Sequence, residues 1–295
     1  MTVSRSPFPD VERVNIDPSV LAGFTREWEF TALSVDLGRE VASFTCVAAS
    51  TMGETSAWSR DRAAVGGNVV RLFKLLSSLL DQTCQKRRET TVIAGRLAFE
   101  TLVNIRFLIA NFSPELVESY IRHSLRHERE LWDEIQANIA QRGGEVLPIE
   151  MRMLASLERT TEKTGITLDS INLRDKAPWG GKHLRHKAEA IGLGDAYQGV
   201  FGGMSHNVHG AWQDLNDYHL EANDEGGFTP KLEWRRPRPQ LLLVLGVLVV
   251  EALPEVFRFL GGEEAFNQLR DRLADLHQRL VAVDQAHEAY LTRTE

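Results

Sequence analysis

VIAGRLAFETLVNIRFLIANF, residues 92–112, is the stretch whose reading decides the fold. Wound as a helix it is apolar on nearly every face, a composition that only a central, buried helix tolerates. It nevertheless carries Arg96, Glu100 and Asn104 at successive i, i+4 positions, which makes one polar stripe on a hydrophobic rod. An arginine buried alone is costly, so Arg96 must be paired, and Glu100 one turn later is the nearest partner. The stripe reads either as a structural ion pair that fixes how helices dock or as the lining of a pocket. In the second case Arg96 grips an anion or phosphate through its planar fork, while Glu100 orients it or acts as a base.

Helical periodicity continues on both sides of this stretch. Upstream, a helix is predicted over 60–86, with Val65, Val69, Leu72, Phe73, Leu76 and Leu80 on one face, and a weaker one over 32–50. Residues 1–30 hold three prolines and no sustained period, so they read as an irregular arm that Phe8, Phe24, Trp28 and Phe30 can tie to the body. Downstream, Ser113 and Pro114 supply an N-cap and a proline at the first helical position. They open a helix predicted over 114–141 that stops at Gly143-Gly144. A shorter helix over 148–163, a loop over 167–181 containing Trp179, a basic helix over 182–191 and a helix over 196–219 follow. Residues 220–238 form a polar insert, a loop or short hairpin. An apolar helix over 240–260 ends at Gly261-Gly262, and an amphipathic helix over 263–292 follows it. The class is therefore all-α: behind the arm, residues 31–295 make a single bundle of about seven to nine helices.

Composition narrows the function classes. With 295 residues, 43% hydrophobic and 25% charged, the chain supports a sizeable core. A net charge of -7 argues against a broad basic surface for nucleic acid, although local basic clusters can still contact phosphate. Such clusters stand at Lys182–Lys187 (KHLRHK) and Arg235–Pro239 (RRPRP); each can meet RNA, an anionic ligand or an acidic partner, or be solvated surface. Cys46 and Cys84 fit no paired metal spacing and suit a reducing cytoplasm. The N-terminal stretch has no apolar signal-peptide core, and the most apolar run, residues 241–250, is about half the roughly 20 residues a span needs. A cytoplasmic protein without a membrane segment, cofactor or metal is expected. Glu251, inside the late apolar helix, should be neutralised by a buried arginine or sit at an interface.

The second constellation is YQGVFGGMSHNVHGAW, residues 197–212, where Tyr197, Phe201, Ser205 and His209 follow one another at one helical turn each. Gly199, Gly202, Gly203 and Gly210 are unusual within one helix, since each costs about 1 kcal/mol relative to alanine; close approach of a second backbone or a ligand would explain them. His206 and His209 are three apart, but no third metal ligand of familiar spacing accompanies them. Ser205 and His209 stand within reach of each other without the strand-turn-helix elbow of serine hydrolases.

The order of RLAFETLVN (residues 96–104), the Trp179 loop and Tyr197-x-x-x-Phe201-x-x-x-Ser205-x-x-x-His209-Gly210 resembles a family of bacterial, all-helical proteins catalogued only as a domain of unknown function. The resemblance covers about residues 60–220. It implies that Arg96, Glu100, Asn104, Tyr197, Ser205 and His209 converge on one site between two packed helices.

A third stretch, Arg122-His123-Ser124-Leu125-Arg126-His127, resembles the Arg-polar-x-x-x-His motif of HEPN ribonucleases, helical domains common in bacterial toxin and phage-defence systems. That resemblance implies a metal-independent mechanism in which His127 is acid or base at a ribose 2′-hydroxyl and Arg122 stabilises the charged phosphorane. On a regular helix a spacing of five sets the two about 140° apart, so they converge only through a bend or a second chain. Two functions thus stand open: a ribonuclease effector using Arg122 and His127, and a non-enzymatic module that binds a ligand or protein through the Arg96/Glu100/Ser205/His209 pocket. The expected partners are RNA or a phosphate-bearing small molecule, a protein partner, and a second copy of the chain.

Overall fold

The computed structural model describes residues 8–53, 56–224 and 226–294. Long helices α2 (Glu27–Ala49), α3 (Arg60–Cys84) and α4 (Arg88–Ala110) follow the short α1 (Pro18–Ala22). Next come α5 (Pro114–Ser124), α6 (Arg126–Gln141), α7 (Pro148–Thr164) and α8 (Leu184–Ala190). Short pieces then lead into a hairpin: α9 (Gly194–Ala196), α10 (Ser205–His209), α11 (Trp212–Asp214), β1 (Leu220–Ala222) and β2 (Phe228–Pro230). The helical run α12 (Pro239–Thr294) follows. These are twelve α-helical segments among the described residues, beyond the seven to nine expected, and the two-stranded hairpin is the sheet found there. The first seven residues of the expected arm lie outside the described residues.

Helix α4 is central, as its composition requires. It packs between α3 and α12 and also meets α8 and α10, and Phe99, Leu102, Ile105 and Leu108 are fully buried. The main core joins α2, α3, α4 and α12. A second cluster under α5–α7 holds Val117, Ile121, Leu125, Ile135 and Leu157, and Tyr120 packs against both. By length and composition Arg60–Cys84 and a window of α12 could cross a bilayer. Their apolar side chains, Val65, Val69, Leu72, Leu243, Leu245 and Val249 among them, are packed in the core.

The N-cap at Ser113 forms as the sequence dictates: its hydroxyl accepts from the Leu116 amide at 3.2 Å. Gly262 breaks α12 with φ 81 and ψ 177, so the halves fold back and Gly246 packs against Leu280. Glu251 is exposed and meets His277 at 3.2 Å across this fold. The carboxylate gripped by an arginine is instead Glu255, bidentate with Arg106 of α4 at 2.7 and 3.1 Å.

Three expected elements differ. The helix over 114–141 is two helices, broken at Leu125, where the Ser124 hydroxyl bonds back to the Ile121 carbonyl at 2.8 Å and Leu125 is anchored in the second cluster. The helix over 196–219 is fragmented by two π-helical turns, Tyr197–Phe201 and Leu215–His219, and by left-handed Gly210 at the end of α10. The arm is more ordered than its prolines suggested. Its Val14 amide donates to Glu40 at 2.9 Å, and Arg272 and Arg279 donate to the carbonyls of Val11 and Val14.

Candidate functional site

The α4 stripe forms the ion pair its spacing predicts. Arg96 donates through Nη1 to Glu100 Oε2 at 3.1 Å. The two ends of the pair differ, since the Arg96 side chain is 10% exposed and that of Glu100 46%. Among the described residues Arg96 Nε is buried with no hydrogen-bond partner, so Glu100 does not satisfy the guanidinium fully. Asn104 is half-buried one turn further on.

Of Tyr197, Ser205 and His209, expected at this stripe, Tyr197 reaches α4 at Phe99, where Phe201 also packs. Phe201 stacks on Phe99 with centroids 4.0 Å apart and rings within 4° of parallel, and Tyr197 lies 6.4 Å from Phe99. Ser205 is half-buried and His209 exposed; among the described residues neither side chain makes a hydrogen bond or ion pair. The cause lies in the π turn, where the Gly202 amide bonds to the Tyr197 carbonyl and an extra residue enters the turn. The regular i, i+4 alignment of Tyr197, Phe201, Ser205 and His209 is lost. His206 and Asn207 instead face a cleft of about 250 Å³ beside Arg88, at whose edge buried Asp214 accepts from Asn207 at 2.6 Å and sits 3.5 Å from His219. Among the described residues no three His, Cys, Asp or Glu side chains are grouped to hold a metal ion.

The partner that the stripe acquires is Lys187, on α8, which packs along α4. Lys187 is 3% exposed and, among the described residues, makes no hydrogen bond or ion pair. Its Nζ lies 3.1 Å from the centroid of Trp179 and 5.8 Å from that of Phe107. Burial lowers its pKa to about 7, against the opposing attraction of Glu100. Trp179 is itself held edge-on by Phe107 and Tyr120, at 5.6 and 5.0 Å. The following Gly180 has φ 63, and a Cβ there would stand 2.9 Å from Leu116, so glycine is what the turn accepts. The sequence did carry a signal for Lys187. Leu184, Lys187, Ala188 and Ile191 have the i, i+3, i+4, i+7 spacing of a buried face, with the lysine in an inward position. Within the basic run KHLRHK that inward position is masked by the charges on either side.

Beside Trp179 opens a cavity of about 440 Å³, between α5 and residues 170–179, whose lining is of mixed charge: Arg122, Arg126 and His123 with Glu115, Glu118 and Asp175. Arg122 is committed: Nε donates to Glu118 at 2.8 Å, and Nη1 to the carbonyl and hydroxyl of Ser170 at 3.1 and 3.0 Å. Arg126 makes one long bond, Nη2 to the Leu173 carbonyl at 3.3 Å. His123 is exposed, yet its pKa is lowered, first by the partial desolvation of its ring against the cavity and then by the positive charges of Arg126 and Lys187, which favours the neutral, proton-accepting form. His127 lies on α6, past the break at Leu125; like His123 it is exposed, but it does not line this cavity. The structure thus places Arg122 in a cavity with His123 and Arg126, and His127 outside it.

Fold and site define a helical bundle whose central helix α4 carries buried Arg96 and is packed by α8 with its buried Lys187, next to a polar, histidine-bearing cavity lined by both arginines and carboxylates. The chain belongs to DUF5677, a family of unknown function, whose model matches residues 62–228. That match spans the stripe, the Trp179 turn, Lys187 and the cavity. No curated protein and no solved structure matches the chain.

Proposed function

We propose that this protein binds a phosphate-bearing ligand, RNA foremost, in the cavity between α5 and the Trp179 turn, and cleaves it by metal-independent acid–base chemistry. One observation carries the reading: Arg122, His123 and Arg126 line the same cavity, where desolvation and the neighbouring cations lower the His123 pKa and Glu118 already holds Arg122. In the proposed step His123 takes the proton of a ribose 2′-hydroxyl. The 2′-oxygen attacks the adjacent phosphorus and the 5′-oxygen leaves, taking a proton from solvent. Arg126, less committed than Arg122, balances the charge that builds on the phosphoryl oxygens. This keeps the ribonuclease chemistry suggested by the HEPN-like stretch and moves the base from His127 to His123. A cytoplasmic effector of a defence or toxin system is the setting such an activity fits.

Binding without turnover is a second reading, and the commitment of Arg122 to Glu118 and Ser170 favours it, because a satisfied guanidinium has little left to offer a transition state. One experiment separates them. Purified wild type, His123→Gln and His127→Gln are incubated with total RNA in the presence of a chelator, and each variant's thermal midpoint is measured alongside. The proposal expects cleavage lost in His123→Gln and kept in His127→Gln. Loss only in His127→Gln restores the motif assignment, and intact RNA with all three leaves the binding reading.

A further inference from the structure

Two basic stretches that neither the core nor the cavity uses are joined in space. The Arg88 amide donates to the Arg235 carbonyl at 2.9 Å, and the Arg235 amide donates to Glu89 at 3.2 Å. This clasp sets Lys86, Arg87 and Arg88, at the start of α4, beside Arg235, Arg236 and Arg238, after the hairpin. Of the neighbouring acids, Glu89 is buried and accepts from Arg235, Glu27 faces Arg238 at 3.8 Å, Asp36 is paired with Arg39 and Asp214 accepts from Asn207, while Asp217 lines the cleft beside Arg88. Within 231–238 the one carboxylate is Glu233.

The same surface exposes aromatic rings that a folded chain ordinarily covers. Trp212, Phe228 and Trp234 are 62%, 49% and 52% exposed. Trp212 and Phe228 meet edge to face at 5.5 Å, and the Arg87 guanidinium lies 5.3 Å from the Trp234 centroid. Arginine forks beside exposed aromatic faces make a pattern suited to a flexible polyanion with π-faces of its own, phosphates on the cations and bases on the rings. An acidic peptide would use the cations and leave the rings idle; an apolar partner would use the rings and leave the cations desolvated.

We propose that this surface docks single-stranded RNA. The inference deepens the RNA reading by naming a strand-holding surface apart from the cavity. Arg88 and Phe107 lie near opposite ends of α4, roughly 30 Å apart along its axis, so docking and cleavage are separable.

The test uses the full chain and a fluorescein-labelled 20-mer oligouridylate, followed by anisotropy at several salt concentrations. Three proteins are compared: wild type, the triple Arg87→Gln/Arg235→Gln/Arg236→Gln, and the double Trp212→Ala/Trp234→Ala, each checked for its thermal midpoint. Wild type should bind saturably, with affinity falling steeply as salt rises. The arginine triple should weaken binding at least tenfold and flatten the salt slope, whereas the tryptophan double should weaken binding about tenfold and keep the slope. No saturable binding, equal binding by all three, or binding only to vesicles containing phosphatidylserine would overturn the proposal. If docking fails while His123-dependent cleavage persists, this surface is wrong and the cavity reading stands. Docking with RNA left intact supports the surface and removes the cavity chemistry.

Discussion

Arg279 and Lys187 are both buried cations, and their surroundings differ in kind. Arg279 binds Glu40 through two bonds of 2.7 Å, reaches Asp275 at 2.8 Å, and donates to the Val14 carbonyl, so its guanidinium is saturated. Lys187 has the face of Trp179, the more distant pull of Glu100, and no hydrogen bond among the described residues. The first arrangement fastens the arm to α2 and α12. The second leaves a cation poorly compensated, which a fold retains only if packing forces it or function uses it. Saturation, not burial alone, therefore separates the strap from the site.

The comparison can be broken at several points. The largest effect should come from Arg279→Ala, which strands Glu40 in the core and should cost about 3 to 5 kcal/mol in urea unfolding. Lys187→Met should behave oppositely, unfolding no more easily than wild type at pH 7. The sign follows from linkage. A lysine with a pKa of about 7 when folded and an ordinary one when unfolded binds fewer protons in the folded state between those values. Wild-type stability should rise as pH increases from about 7 towards 10, by up to a few kcal/mol, with cation–π attraction to Trp179 reducing the gain. In Lys187→Met that slope should be absent, and a slope unchanged by the substitution would show that Lys187 is not the titrating group. Gly180→Ala, forced to φ 63 and against Leu116, should lose about 1 to 3 kcal/mol; an unchanged midpoint would show the Trp179 turn to be loose. The smallest effect is on His123. Removing the positive charge of Lys187 or Arg126 should move its pKa up towards the ordinary histidine value, read from its ring proton shifts by NMR.

Much of the architecture was legible because helix signals are local. Ser113-Pro114 and Gly261-Gly262 placed boundaries where the structure has them, and the stripe spacing gave the Arg96–Glu100 pair. What escaped depended on distant or competing contacts. The Leu125 break arises where a serine side chain bonds back to the helix and a leucine answers to a second core, and no glycine or proline marks it. Gly199, Gly202 and Gly203 suggested close approach of a backbone or ligand, whereas space is open beside Gly199 and Gly203, Gly202 sits against its own π turn, and that turn shifts Ser205 and His209 off the Tyr197–Phe201 line. Lys187 was hidden by its neighbours, because a lysine between histidines and arginines reads as surface until α8 is laid on α4. The clasp between Arg88 and Arg235 spans 146 positions from Glu89 to its partner amide, beyond any local pattern.

The most direct measurement is an NMR titration of the full chain labelled with ¹³C at lysine Cε, from pH 5.5 to 11, in wild type and Lys187→Met. One lysine resonance should titrate near pH 7 in wild type and be missing from the variant, while the remaining lysines titrate in the ordinary range. If every lysine titrates near 10, Lys187 is solvated or fully paired, and the contrast with Arg279 on which the site rests is wrong.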